Sequence, residues 1–111
     1  MKAGFAPVDA REVLARVAAL PITRWHYTND VATSHVGPMA QDFYAAFAVG
    51  PDDKHITTID ESGVALAAIQ GLNEKLEERL LEKETRIAAL ERTVAELKKL
   101  MNGLRLAKGG E

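Results

Sequence analysis

The 111 residues include no cysteine, which removes disulfides, thiolate catalysis and cysteine-based metal sites together. Neither charge is in excess: 14 Lys+Arg stand against 16 Asp+Glu, with a sequence pI near 5.9. Nothing is therefore left over to neutralise a phosphate backbone or to hold anionic lipid, and nucleic acid and membrane are disfavoured as partners. No apolar run approaches the ~20 residues of a membrane-spanning helix, and Met1-Lys2 leads into no signal-peptide core before Pro7. The expectation is a soluble chain without an address of its own. Gly37 and Gly50 stand alone, so no phosphate-binding loop is present, and nothing else in the sequence calls for a cofactor. His26, His35 and His55 lack metal-ligand spacing, and no metal is expected. The length allows one domain plus an appendage, not two independent cores.

What is present divides near residue 62. All six aromatics (Phe5, Trp25, Tyr27, Phe43, Tyr44, Phe47) precede residue 56, while Leu, Glu, Lys, Arg and Ala dominate after Gly63. Residues 1–60 carry five basic and seven acidic side chains, and residues 61–111 carry nine of each. Such dense but cancelling charge is the composition of a long solvated helix. The expected organisation is a head over 1–62, a long helix over 63–108 and a frayed tail over 109–111.

In the head, Asp9 with Glu12 three residues later predicts a helix start. Val13, Leu14, Val17 and Leu20 then share a face until Pro21, giving a helix over about 10–20. The β-branched and aromatic run Ile22 to Thr28, closed by Asn29-Asp30, predicts a short strand. Pro38 at a first helical position, followed by Met39, Phe43 and Phe47 at spacings of four, predicts a second helix and a core stripe. Gly50 to Asp53 is a turn, Ile56 to Ile59 suits another short strand, and Asp60-Glu61-Ser62 offers N-cap chemistry for the long helix.

That helix is the strongest periodic signal. Position a falls on Leu66, Asn73, Leu80, Ile87, Val94 and Met101, and position d on Ile69, Leu76, Lys83, Leu90, Leu97 and Leu104. Ten of these twelve are apolar. A stripe this narrow and this long requires partner helices, and from 66 to 104 it would run roughly 58 Å at ~1.5 Å per residue. The partner must come from another chain, because a head of some 60 residues is too small to cover it. Arg79 and Arg86 at g with Glu84 and Glu91 at e weakly favour parallel chains. Asn73 and Lys83 cost stability and are of the kind that fixes register and oligomer state. Ile87 and Val94 at a with Leu90 and Leu97 at d would alone favour two strands. Gly103 and Gly109-Gly110 mark where the helix should fray.

Ser34 and Ser62 are the only internal hydroxyl candidates among the serines. Ser34 adjoins His35, but sequence neighbours on an extended segment point to opposite sides, so no dyad is implied. Ser62 reads as a cap.

The segment His35-Val-Gly-Pro-Met-Ala-Gln-Asp-Phe43, preceded by Leu20-Pro-Ile-Thr-Arg-Trp-His-Tyr27 and followed by Ile59 through Asn73, resembles the intramolecular chaperone domain of the S74 peptidase family. That module ends phage endosialidases, tail spikes and many bacterial tail-fibre-like proteins. The resemblance runs from about Lys2 to Leu76; the distal coiled coil is generic. It implies a homotrimer that registers three chains, assists folding of the stalk of a parent fibre chain, and is released by serine-dependent self-cleavage. The parent would be a phage virion or bacterial fibre component. The family's cleavage motif is Ser-Asp-x-x-x-Lys, with the Lys as base. Lys2 resembles that lysine, and the matching Ser would fall four residues before Met1, so the chain as given should not cut itself. His35, Gly37, Pro38, Gln41 and Asp42 lie in the family's best-defined segment. For His35 and Gln41 a structural role, tying a loop and a helix start to neighbouring backbone or to the adjacent subunit, is preferred over catalysis.

The fold expected is thus a small α+β head of short helices and strands followed by a long C-terminal α-helix in a parallel trimeric coiled coil. The competing reading is a non-catalytic interaction module with a dimerising coiled coil.

Overall fold

In the computed structural model, residues 1–109 are described. The order of elements is α1 (Ala10–Ala19), β1 (Thr23–Tyr27), β2 (Asp30–Gly37), α2 (Ala40–Phe47) and α3 (Thr58–Gly109). Contacts divide the chain into two compact units, Met1–Lys75 and the part beginning at Leu76, with α3 contributing to both.

Helix α1 begins where its cap chemistry places it. The Asp9 carboxylate accepts from the Glu12 N–H at 3.2 Å, satisfying one of the free donors of the first turn. The Glu12 side chain does not return the favour to Asp9; it pairs with Arg16 at 2.8 Å one turn on. Arg16 also donates to the Ala46 carbonyl at 2.7 Å, laying a cation on the negative end of α2 and tying the two helices. The helix closes at Leu20, whose N–H reaches the Val17 carbonyl at 3.2 Å, and Pro21 prevents continuation.

The aromatic run forms β1 as expected, and it pairs antiparallel with β2 through Thr23↔Gly37, Arg24↔Val36 and Trp25↔His35. The register shifts between Trp25 and Tyr27, which pairs with Asp30. The hairpin turns at Thr28-Asn29, and Asp30, expected to close the first strand, instead opens a second one that the sequence reading does not contain.

Helix α2 starts two residues later than proline chemistry suggested, at Ala40. Met39 is its N-cap and Pro38 precedes it, just after the end of β2, where its missing N–H can donate nothing to the β1 ladder. The stripe of four-residue spacing holds in part. Phe43 is the most buried side chain at 3% exposure and packs on Phe47 with ring centroids 5.0 Å apart, whereas Met39 is exposed. Burying Phe43 contributes roughly 1.5–3 kcal/mol. Ala48, left-handed at φ 51°, ends the helix with its N–H on the Tyr44 carbonyl at 2.8 Å.

The expected strand over Ile56 to Ile59 is absent; α3 starts at Thr58. Thr57 decides this. Its hydroxyl accepts from the Asp60 N–H at 3.1 Å and donates to the Asp60 carboxylate at 2.6 Å, a reciprocal cap that nucleates the helix five residues before Gly63. Ser62 accordingly lies inside the helix, exposed, and is not the cap. Gly103 does not fray the helix either: its neighbours carry the pattern through to Gly109, while Gly110 lies outside the described residues.

Candidate functional site

Within the first unit, α3 has two distinct faces. Asp60, Val64, Ala67, Ala68, Gly71 and Lys75, recurring at three- and four-residue spacings, are the buried or half-buried positions. The small residues among them, Ala67, Ala68 and Gly71, let other backbone come close: a β-carbon on Gly71 would run into the Ala10 carbonyl oxygen and stand 2.7 Å from the Ala10 carbonyl carbon. Only glycine permits the N-terminus of α1 to lie there. Ala67-Ala68 and Gly71 carry this face in the sequence, but small residues contribute little to a hydrophobic pattern, which the larger leucines dominate.

Those leucines form the other face. Leu66, Ile69 and Leu76, positions a and d of the heptad pattern, are each more than half exposed. In the second unit the stripe continues through Leu80, Ile87, Leu90, Val94, Leu97, Met101 and Leu104, with exposures from 49% at Val94 to 71% at Leu104. Asn73 and Lys83 are exposed as well. Packing in the head thus consumes the small-residue face of α3 and leaves every seam position uncovered. Leu81 and Leu106 are also exposed off the seam, and Leu72 and Leu100 at g widen it. Isolated surface leucines are ordinary; ten apolar side chains along one face, interrupted only at Asn73 and Lys83, make a surface that water disfavours.

Of the head residues in the family-like segment, His35 and Gly37 lie on the hairpin, while Gln41 and Asp42 lie on α2. His35 is half-buried, stacked on its cross-strand partner Trp25 at 4.8 Å and 28°, and meets the edge of Tyr27 at 5.4 Å. Trp25 and Tyr27 complete the cluster edge to face at 4.9 Å. The place of His35 is therefore on a strand, not in a loop. Gly37 ends β2 close to the Trp25 indole, where a β-carbon would meet Nε1 at 3.9 Å, an ordinary contact. That indole N–H is buried without a hydrogen-bond partner among the described residues. Gln41 and Asp42 are exposed in the first turn of α2, where the Asp42 charge favours the helix dipole. Ser34 sits on the opposite face of β2 from His35, as alternation requires.

Lys2 is exposed in the irregular stretch before α1. Among the described residues no three His, Asp or Glu converge as metal ligands, and no helix is long and apolar enough to cross a membrane. His26 Nδ1 lies 2.9 Å from the Tyr27 carbonyl and His55 pairs with Asp52 at 3.1 Å, so two of the histidines serve local structure. The Asp52 carboxyl is held below its ordinary value chiefly by the Lys54 backbone N–H, then by the His55 side chain.

Residues 1–50 match the peptidase S74 family, described as chaperone of endosialidase. This is the family that the motifs from Lys2 to Phe43 resemble, and the match supports a chaperone-like role. It stops before Pro51 and does not reach α3. No curated protein and no solved structure gives a significant match.

Proposed function

We propose that the chain is a C-terminal intramolecular chaperone module. Three copies associate in parallel through the α3 seam, bring the chains of a fibre or tail-spike-like parent into register, and assist folding of its stalk. The observation that carries this reading is the division of labour on α3. The head binds the small-residue face, and the apolar seam from Leu66 to Leu104 stays available for other copies. The match of the head to the chaperone-of-endosialidase family supports the same role and the association with a parent tail protein.

In the parent, release would follow self-cleavage by a serine supplied upstream, with Lys2 as its base. A lysine amine acts as a base only when neutral, hence when partly desolvated. Lys2 is exposed in the single chain, so the partner chains or the preceding segment would have to cover it.

Sedimentation equilibrium tests the reading directly. Three chains per particle are expected. A monomer would overturn it, and a dimer would favour the non-catalytic interaction module, which the Ile/Val at a and Leu at d also fit.

A further inference from the structure

Lys83 breaks the apolar seam in its middle, at a d position between Leu80 and Ile87. Its own helix cannot neutralise it. The residues three and four positions away, which are the ones a helical side chain can reach, are Arg79, Leu80, Arg86 and Ile87: two cations and two apolar groups. Glu84 has the complementary problem, since Leu80, Leu81, Ile87 and Ala88 occupy the same positions around it. Adjacent residues on a helix do not face each other, so Lys83 and Glu84 of one chain cannot serve one another. Neither has a hydrogen bond or ion pair among the described residues. Asn73, the other polar seam residue, already has an interaction within its chain.

We infer that Lys83 is neutralised by Glu84 of a neighbouring copy, so that the seam contains one ring of alternating charges that is complete only in the parallel assembly. The inference rests on the trimer reading above. Around each helix g flanks d and e flanks a, so a parallel neighbour sets its e position beside the d and g positions of the first copy. In a parallel, in-register assembly the Lys83 stem packs along apolar neighbours while its ammonium leans outward to Glu84 of the next copy. Arg79, one turn earlier at g, reaches the same glutamate. Glu84 is thereby bracketed by two cations of one neighbour, whereas Glu91 meets Arg86 and, at the matching d position, the apolar Leu90. An antiparallel arrangement sets e against e and g against g, so the d side of one helix meets the g row of the other, which carries Arg79 and Arg86 and no acidic residue, and Lys83 finds no anion there. The ring thus selects chain polarity at some cost in stability.

The experiment compares Glu84→Gln with Glu91→Gln in the full chain, each in the native background and in Lys83→Leu. Melting is followed at one protein concentration, with oligomeric state checked by sedimentation. In the native background Glu84→Gln should lower the melting temperature by about twice as much as Glu91→Gln, because two cations lose their partner instead of one. In Lys83→Leu the two losses should be equal, and that variant should melt higher than the native chain. Equal losses in the native background, or a difference that persists without Lys83, would overturn the ring while leaving the trimer standing. A native chain that sediments as a monomer overturns the trimer reading and the ring with it.

Discussion

Glycine at three places on α3 separates helix propensity from packing. Gly63 and Gly103 have nothing within 4 Å of where a β-carbon would stand, whereas at Gly71 the backbone of Ala10 and Arg11 occupies that space. Gly63→Ala should therefore stabilise the chain by about 0.5–1 kcal/mol, the ordinary gain for removing a mid-helix glycine. Gly71→Ala gains the same propensity but forces α1 away, a cost of about 1–3 kcal/mol that should outweigh it. Urea unfolding at fixed protein concentration reads both signs; stabilisation by Gly71→Ala would mean that α1 does not rest on that face. Asp52 gives a pH dependence of known sign. Its folded pKa is depressed by the Lys54 and His55 contacts, so their contribution is present above the ordinary aspartate pKa and lost as pH falls through the lower folded value. A carboxyl-carbon NMR titration should place the Asp52 midpoint below that of Asp52 in a short peptide of residues 50–57, and coincident midpoints would remove the loop contacts from solution.

Elements were readable where local chemistry and tertiary demand agree. Asp9 announces α1 because the cap is a local interaction, and Trp25 with its β-branched neighbours announces β1 because bulky side chains suit a pleated strand. Strand β2 was missed because Asp30, Ala32 and Ser34 favour no strand by themselves; pairing across the hairpin with β1 imposes it. The stretch Ile56 to Ile59 was misread for the opposite reason. Its β-branched residues suit a strand, but the Thr57–Asp60 cap and the long helix behind it win. Thr57→Ala should accordingly destabilise the head by about 1 kcal/mol, the usual value of a threonine cap, while Ser62→Ala should be silent or slightly favourable. Equal losses from the two would return the helix start to Ser62. Of the site, the seam was legible because large apolar residues at 3–4 spacing leave a strong imprint. The aromatic packing of His35 was not, since its partner Trp25 lies ten residues away and only the hairpin register brings them together.

At the scale of the molecule, the central question is what covers the row of apolar side chains that a single copy leaves in water. Burying each leucine or isoleucine contributes roughly 1.5–3 kcal/mol, so association through ten such positions has ample driving force against the entropy of bringing chains together. Folding and association are then linked by mass action, and the melting temperature should rise with protein concentration. Ile87→Asp or Leu90→Asp places one carboxylate per chain in the seam with no counter-charge at its own layer, and either should shift the sedimenting species to monomer. Glu82→Lys makes a charge change of similar boldness at position c, outside the seam, and should leave the oligomer intact. It serves as the control because Glu82 can assist Arg79 and Arg86 only across the exposed helix surface, where such pairs are worth about a few tenths of a kcal/mol. Were Glu82→Lys to dissociate the particle as completely as Ile87→Asp, the heptad frame would be displaced, and the row from Leu66 to Leu104 would not be the face on which the copies meet.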